Sequence, residues 1–183
     1  EEFGLISDQA LNYYQKQIEK LKDTELALVG DFGGTAVGDI ALVPGPGLKH
    51  PKGIRDVAEW YMSTVMRQDL LHEIFDKQTK MAVKNLERIY EVIGENIQVV
   101  YICGTDFGTQ NSQFCSTDTY DSLFMPYYKR INGWIHEHTS WKTFKHSCGS
   151  VAVFMPHFIE AGFDIINPVQ FSATGMDPVQ LKK

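Results

Sequence analysis

Apolar residues recur at helical spacing in some stretches of the chain and crowd into short runs in others. That alternation sets the expected elements. Over residues 7–22, Leu11, Tyr14, Ile18 and Leu21 fall on one face of a helix, with Ser7 or Asp8 to cap its start. Residues 26–29 form a short apolar run ending in Gly30-Asp31-Phe32-Gly33-Gly34, the pattern of a buried strand with Asp31 just past its end. Pro44, Gly45, Pro46, Gly47 and Pro51 are too dense for a helix or a central strand, so residues 43–53 read as a surface loop. Helical spacing returns over residues 54–93 through Leu70, Ile74, Met81, Leu86, Ile89, Tyr90 and Ile93. A break near Arg67-Gln68-Asp69, with Asp69 as the cap, divides that stretch, and Gly94 stops it.

The second half repeats the alternation. Residues 97–103, Ile-Gln-Val-Val-Tyr-Ile-Cys, are the clearest strand. Residues 119–137 are helical through Leu123, Tyr127, Ile131 and Ile135, with Asp118 as a cap candidate and Pro126 expected to kink or restart the helix. A strand over 141–146, a helix over 151–161 and a strand over 164–167 follow. Strict alternation of this kind implies parallel strands joined by right-handed crossovers.

Composition narrows the class. At 183 residues the chain can bury a real core as a single domain, 1–183, and its 43% hydrophobic content is that of an ordinary globular protein. The net charge of −6, with no basic run, argues against nucleic acid or an anionic membrane as partner. No apolar run is long enough to span a bilayer, and Glu1-Glu2 does not open a signal-peptide pattern. Three widely spaced cysteines, Cys103, Cys115 and Cys148, do not make a disulfide framework, so a reducing cytoplasm is expected.

In parallel α/β architectures chemistry gathers at the C-terminal ends of strands. Each expected strand carries polar residues there: Asp31, then Asp106 with Gln110, then His146 with Cys148, then Asn167 with Gln170. His146-Ser147-Cys148-Gly149 is the sharpest of these. Side chains two apart on a strand share a face, so imidazole and thiol project together. Such a pair is half of a zinc site, and a catalytic zinc wants three protein ligands and an open position. No third ligand stands at a fixed spacing. The bare pair also fits a buried cysteine beside a hydrogen-bonded histidine. His136 and His138, two apart on a helix, do not share a face, and their cationic forms suit the helix C-terminus. His157 reads as packing, His50 and His72 have no visible partner, and Cys103 and Cys115 read as ordinary thiols, with Cys115 a position to check for the absent ligand.

The run Lys145-His146-Ser147-Cys148-Gly149-Ser150, with Phe158-Ile159-Glu160-Ala161-Gly162-Phe163-Asp164-Ile165-Ile166-Asn167-Pro168-Val169-Gln170, resembles the uroporphyrinogen decarboxylase superfamily. Thr105-Asp106-Phe107-Gly108-Thr109-Gln110 and Met125-Pro126-Tyr127-Tyr128 extend the resemblance, which covers the last half of the chain well and the first half loosely. It is strongest to the branch of zinc- and cobalamin-linked methyltransferases, the methylcobamide:coenzyme M methyltransferases. That resemblance implies a (β/α)8 TIM barrel, of which this chain would be about four β-α units, since a full barrel takes typically ~250 residues. It implies zinc on His146 and Cys148, completed in the family by a later cysteine, and a segment at Asp106 that lines the substrate cavity. An aspartate there also fits a turn that caps its own backbone. The implied catalytic set is Asp106, His146 and Cys148, with Asp31, Gln110, Asn167 and Gln170 toward substrate. The implied partners are a corrinoid (cobalamin) protein and a small methyl donor or acceptor. An open partial barrel would also self-associate through its edges and apolar inner face.

Two other activities stay in view. Uroporphyrinogen decarboxylation, the superfamily's other reaction, uses an arginine-rich N-terminal segment to hold substrate carboxylates, whereas Arg55, Arg67, Arg88 and Arg130 are scattered here. The other is a domain that binds a ligand or metal without turnover.

Overall fold

The computed structural model describes residues 3–40 and 42–182. Its centre is a four-stranded parallel sheet in the order β1-β2-β3-β4, made of β1 (Val29–Asp31), β2 (Val99–Cys103), β3 (Lys142–His146) and β4 (Ile165–Asn167). The order never reverses. Helix α1 (Asp8–Leu21) precedes β1; α2 (Val57–Met66) and α3 (Gln68–Ile93) link β1 to β2; α4 (Thr117–Thr119) and α5 (Met125–His138) link β2 to β3; α6 (Met155–Glu160) links β3 to β4; α7 (Pro178–Leu181) ends the described chain. Among the described residues no helix is long and apolar enough to cross a membrane.

The helices cover one face of the sheet. Val100, Ile102, Thr143 and Lys145 point at them and are buried, while the alternate residues Val99, Tyr101, Phe144 and His146 stay half-buried on the other face. Tyr101 and Phe144 pave that open face, with ring centroids 5.8 Å apart. On the covered side Phe107 is the hub of an aromatic cluster: Tyr120 and Phe124 lie 5.0 Å away edge-on, and Phe154 and Phe158 lie within 5.9 Å.

The ends of elements are where the structure departs from sequence expectation. β1 begins at Val29, not residue 26, because the Leu28 N–H is taken by the Gln98 side chain at 2.8 Å and the ladder starts only after it. Asp31 is therefore the last residue of the strand itself. The long helical stretch does break at Arg67, whose extended φ of −133° ends α2, but Asp69 lies in the first turn of α3 and makes no cap. Ser116, not Asp118, caps the next helix by accepting the Thr119 N–H at 3.1 Å. Pro126 restarts the helix, as one of the two expected outcomes had it: α5 begins at Met125 with the proline in its first turn. It has no N–H to give, and the chain answers one turn earlier with a π-helical turn over Tyr120–Phe124, in which Met125 N–H reaches back to the Tyr120 carbonyl. Gly94 stops α3 at φ 52°, as expected.

Asp164 locks β3 to β4 at their N-terminal ends. Its carboxylate accepts the Thr143 N–H and the His136 Nε2, each at 2.9 Å. Burial pushes this carboxyl up, but the Thr143 N–H and His136 outweigh burial and hold it below its ordinary value of 3.8. A carboxylate depressed in the folded state stabilises the fold above its unfolded pKa, and that contribution is lost as pH falls from about the ordinary value through the folded one. Asp164→Ala should cost about 1.5–3 kcal/mol in urea unfolding at neutral pH. The gap between variant and wild type should shrink below 3.8. A gap that stays constant into that range would mean the carboxylate carries no such load.

Candidate metal centre

The turns that follow β2 and β3 are laced together residue by residue. The Thr105 carbonyl accepts from Lys145 Nζ at 3.0 Å, the Phe107 N–H donates to Ser147 Oγ at 3.0 Å, and the Cys148 N–H donates to Asp106 Oδ1 at 2.7 Å. The Ser150 N–H then reaches the Thr109 carbonyl at 2.8 Å. Glycine is required where the turns cross. A Cβ on Gly149, which sits at φ 87°, would lie 2.4 Å from the Gly108 carbonyl, and one on Gly108 would lie 2.7 Å from Ser150 N.

This lacing brings three donor atoms together. His146 leaves β3 on the open face, and its Nε2 stands 3.2 Å from Cys148 Sγ and 3.7 Å from Asp106 Oδ1. Ligand atoms of Asp106, His146 and Cys148 all lie within 4.8 Å of one another, and the three side chains are half-buried. The other ring nitrogen is occupied: His146 Nδ1 is 2.9 Å from Asn167 Oδ1, across the β3–β4 pairing that sets His146 opposite Asn167. With Nδ1–H donating to that amide oxygen, the Nε2 lone pair is left for the site. The chain leaves β4 through a cis Asn167–Pro168 peptide.

Burial raises the Cys148 thiol above its ordinary value, and the Asp106 carboxylate raises it further. A thiolate and a carboxylate converging on one point repel, and a bound divalent ion reverses that, since it deprotonates a coordinating thiol outright. Nitrogen, sulfur and carboxylate oxygen are each donors that zinc accepts, and the Asn167 amide behind the imidazole is the kind of outer partner that zinc-bound histidines carry. The residues present fit the metal that the H-x-C pair suggested.

The other expected site residues have different places. Gln110 and Gln170 bind each other, Gln170 Nε2 to Gln110 Oε1 at 2.8 Å. Gln170 Oε1 also accepts the Gly149 N–H at 2.8 Å, and the Gln110 amide donates to the Ser172 carbonyl. The pair ties together the loops after β2, β3 and β4. Asp31 lies beyond β2 from the three donors and lines a separate cavity of 180 Å³ with Thr35, Asp39, Tyr101 and Gly104. Cys115 is outside the donor group; it borders a small cavity with Asp106, Tyr61 and Phe114, and burial pushes its thiol up to about 11. His72 does have a partner, with its Nδ1 2.8 Å from the Tyr127 hydroxyl. His136 binds Asp164, His157 binds Asp121 at 2.6 Å, and His138 stacks on Trp134 with Nδ1 on that residue's carbonyl. Sequence reasoning placed Asp106 in the catalytic set with His146 and Cys148 but not as a metal ligand, and the structure sets its carboxylate beside their donor atoms. It read Asn167 as a substrate group, and the structure sets it behind the imidazole. Lys145 gave no signal beyond its place in a strand, yet it is fully buried against the same turn.

No protein-family model, curated protein or solved structure matches this chain.

The geometry makes Asn167 the test of the site's order. Asn167→Ala should weaken zinc binding by about 10–100-fold, as loss of an imidazole's outer partner does elsewhere. Competition against a chromogenic chelator reads the change. Affinity equal to wild type would remove Asn167 from any role in orienting His146.

Proposed function

We propose that this chain supplies four β-α units of a TIM-type barrel whose strand ends hold zinc on His146, Cys148 and Asp106. The reaction is methyl transfer between a corrinoid protein and a thiol or methylated small molecule. The observation that carries this reading is the convergence of the three donors at the C-terminal ends of β2 and β3, with His146 Nε2 3.2 Å from Cys148 Sγ. Zinc bound there supplies a Lewis acid that keeps a thiol ionised and nucleophilic at neutral pH.

The chain's own residues supply the rest. Asn167 fixes the imidazole tautomer and aims Nε2. The Cys148 N–H holds the Asp106 carboxylate, so that the acid enters the site with one oxygen already oriented. The half-buried position of all three leaves a route for a large partner to present its methyl group. A non-reversing strand order with helices on one face supports the barrel reading, since right-handed crossovers keep the helices of a barrel wall on one side. The two sheet edges and the half-exposed Tyr101 and Phe144 suit further strands or a second copy. Free thiols at Cys103, Cys115 and Cys148 suit a reducing cytoplasm.

Decarboxylation of a porphyrinogen fits less well. Its many carboxylates need several free arginines near the strand ends, and three of the four here, Arg67, Arg88 and Arg130, are paired with Glu59, Asp8 and Asp76 at 2.6–2.8 Å.

The full-length protein, incubated with its corrinoid partner and followed by the partner's visible absorption, tests the reading. His146→Ala and Cys148→Ala should each reduce methyl transfer to background while the fold persists. Wild-type rates in both variants, or enzyme-like decarboxylation of uroporphyrinogen by the wild type, would overturn it.

A further inference from the structure

Lys145 is fully buried, and among the described residues no carboxylate is its partner. Its Nζ donates to the Thr105 carbonyl at 3.0 Å and to Cys103 Sγ at 3.3 Å. Four aromatic rings surround the ammonium, with centroids at 4.7 Å (Phe107), 5.1 Å (Phe158), 5.5 Å (Phe163) and 5.6 Å (Tyr128). A charge buried without a counterion is costly, and a helix-facing strand position is ordinarily filled by an apolar residue. Here ring faces and two acceptors replace water, which makes the cation tolerable and fixes where it sits.

What the ammonium grips is informative. Thr105 precedes Asp106 and gives it its carbonyl; Phe107 follows Asp106 and gives it the closest ring. One cation therefore holds the chain on both sides of Asp106. We propose that Lys145 is a positioning residue, a cationic clamp that fixes the turn at Thr105–Phe107 and thereby aims the Asp106 carboxylate at the metal site. It does not touch that site, because Lys145 and His146 are consecutive on β3 and point to opposite faces. A methionine would fill much of the same space but leave the Thr105 carbonyl buried and unpaired. The inference rests on the zinc reading for its consequence, but not for its geometry.

Two measurements on the full-length protein separate the clamp from the metal reading. The first is amide hydrogen exchange without metal. In Lys145→Met, the Cys148 and Phe107 amides, which bind Asp106 and Ser147, should exchange about tenfold faster or more, while Val100 in the sheet keeps its protection. Unchanged exchange at Cys148, or equal acceleration at all three amides, overturns the clamp whether or not zinc binds. The second is a double-mutant cycle read as zinc affinity. Lys145→Met should cost about tenfold with Asp106 present and little in an Asp106→Asn background. An equal cost in both backgrounds means Lys145 does not act through Asp106 and overturns the proposal. If Lys145→Met fails to fold, Phe163→Leu, which removes one ring remote from the turn, replaces it in both measurements with the same expected pattern at reduced size. If wild type binds no zinc, the metal reading fails and the exchange result alone decides the clamp.

Discussion

Neighbouring residues on a β-strand cannot share a face, and at the end of β3 that rule separates an ammonium from an imidazole. Lys145 turns into the helices and His146 turns out to the open face. Just past the end of the strand Cys148 comes back to the side of His146, its Sγ 3.2 Å from the imidazole Nε2. The inward residue anchors the preceding turn, and the outward ones receive the carboxylate that the turn presents. A shift of register by one residue at β3 would bury the imidazole and expose the ammonium, and both halves of the arrangement would be lost together.

The site is built from loops that depend on each other more than on their own strands. Asp106 is held by an N–H of the β3 turn, Phe107 by a hydroxyl of the same turn, and Gly149 by the Gln170 side chain from beyond β4. Close passage of Gly108 and Gly149 lets the two turns meet backbone to backbone. Without a cation, burial and the facing Asp106 carboxylate both favour the protonated Cys148 thiol. A divalent metal, as proposed, would use all three donors at once.

Much of the fold was legible in the sequence because apolar periodicity is a property of the chain itself. The order of strands and helices, the break at Arg67, the stop at Gly94 and the shared face of His146 and Cys148 all follow from spacing. Element ends were less legible, since they depend on contacts from far along the chain: the Gln98 side chain delays β1, and the choice between Ser116 and Asp118 as a cap is made by backbone angles. The third donor was the largest gap. Asp106 stands 42 residues before Cys148, and only the parallel pairing of β2 with β3 brings their turns together. Asn167 behind the imidazole and Lys145 behind the turn were hidden for the same reason, being partners across strands and not along one.

The central claim is that Asp106, His146 and Cys148 hold one zinc ion, and X-ray absorption at the zinc edge tests it most directly. Zinc-loaded full-length protein should show one sulfur scatterer near ~2.3 Å, with nitrogen and oxygen scatterers near ~2.0–2.2 Å filling the remaining positions. In Cys148→Ser the sulfur shell should disappear. A wild-type spectrum with no sulfur, or with a sulfur shell that survives in Cys148→Ser, would contradict the account.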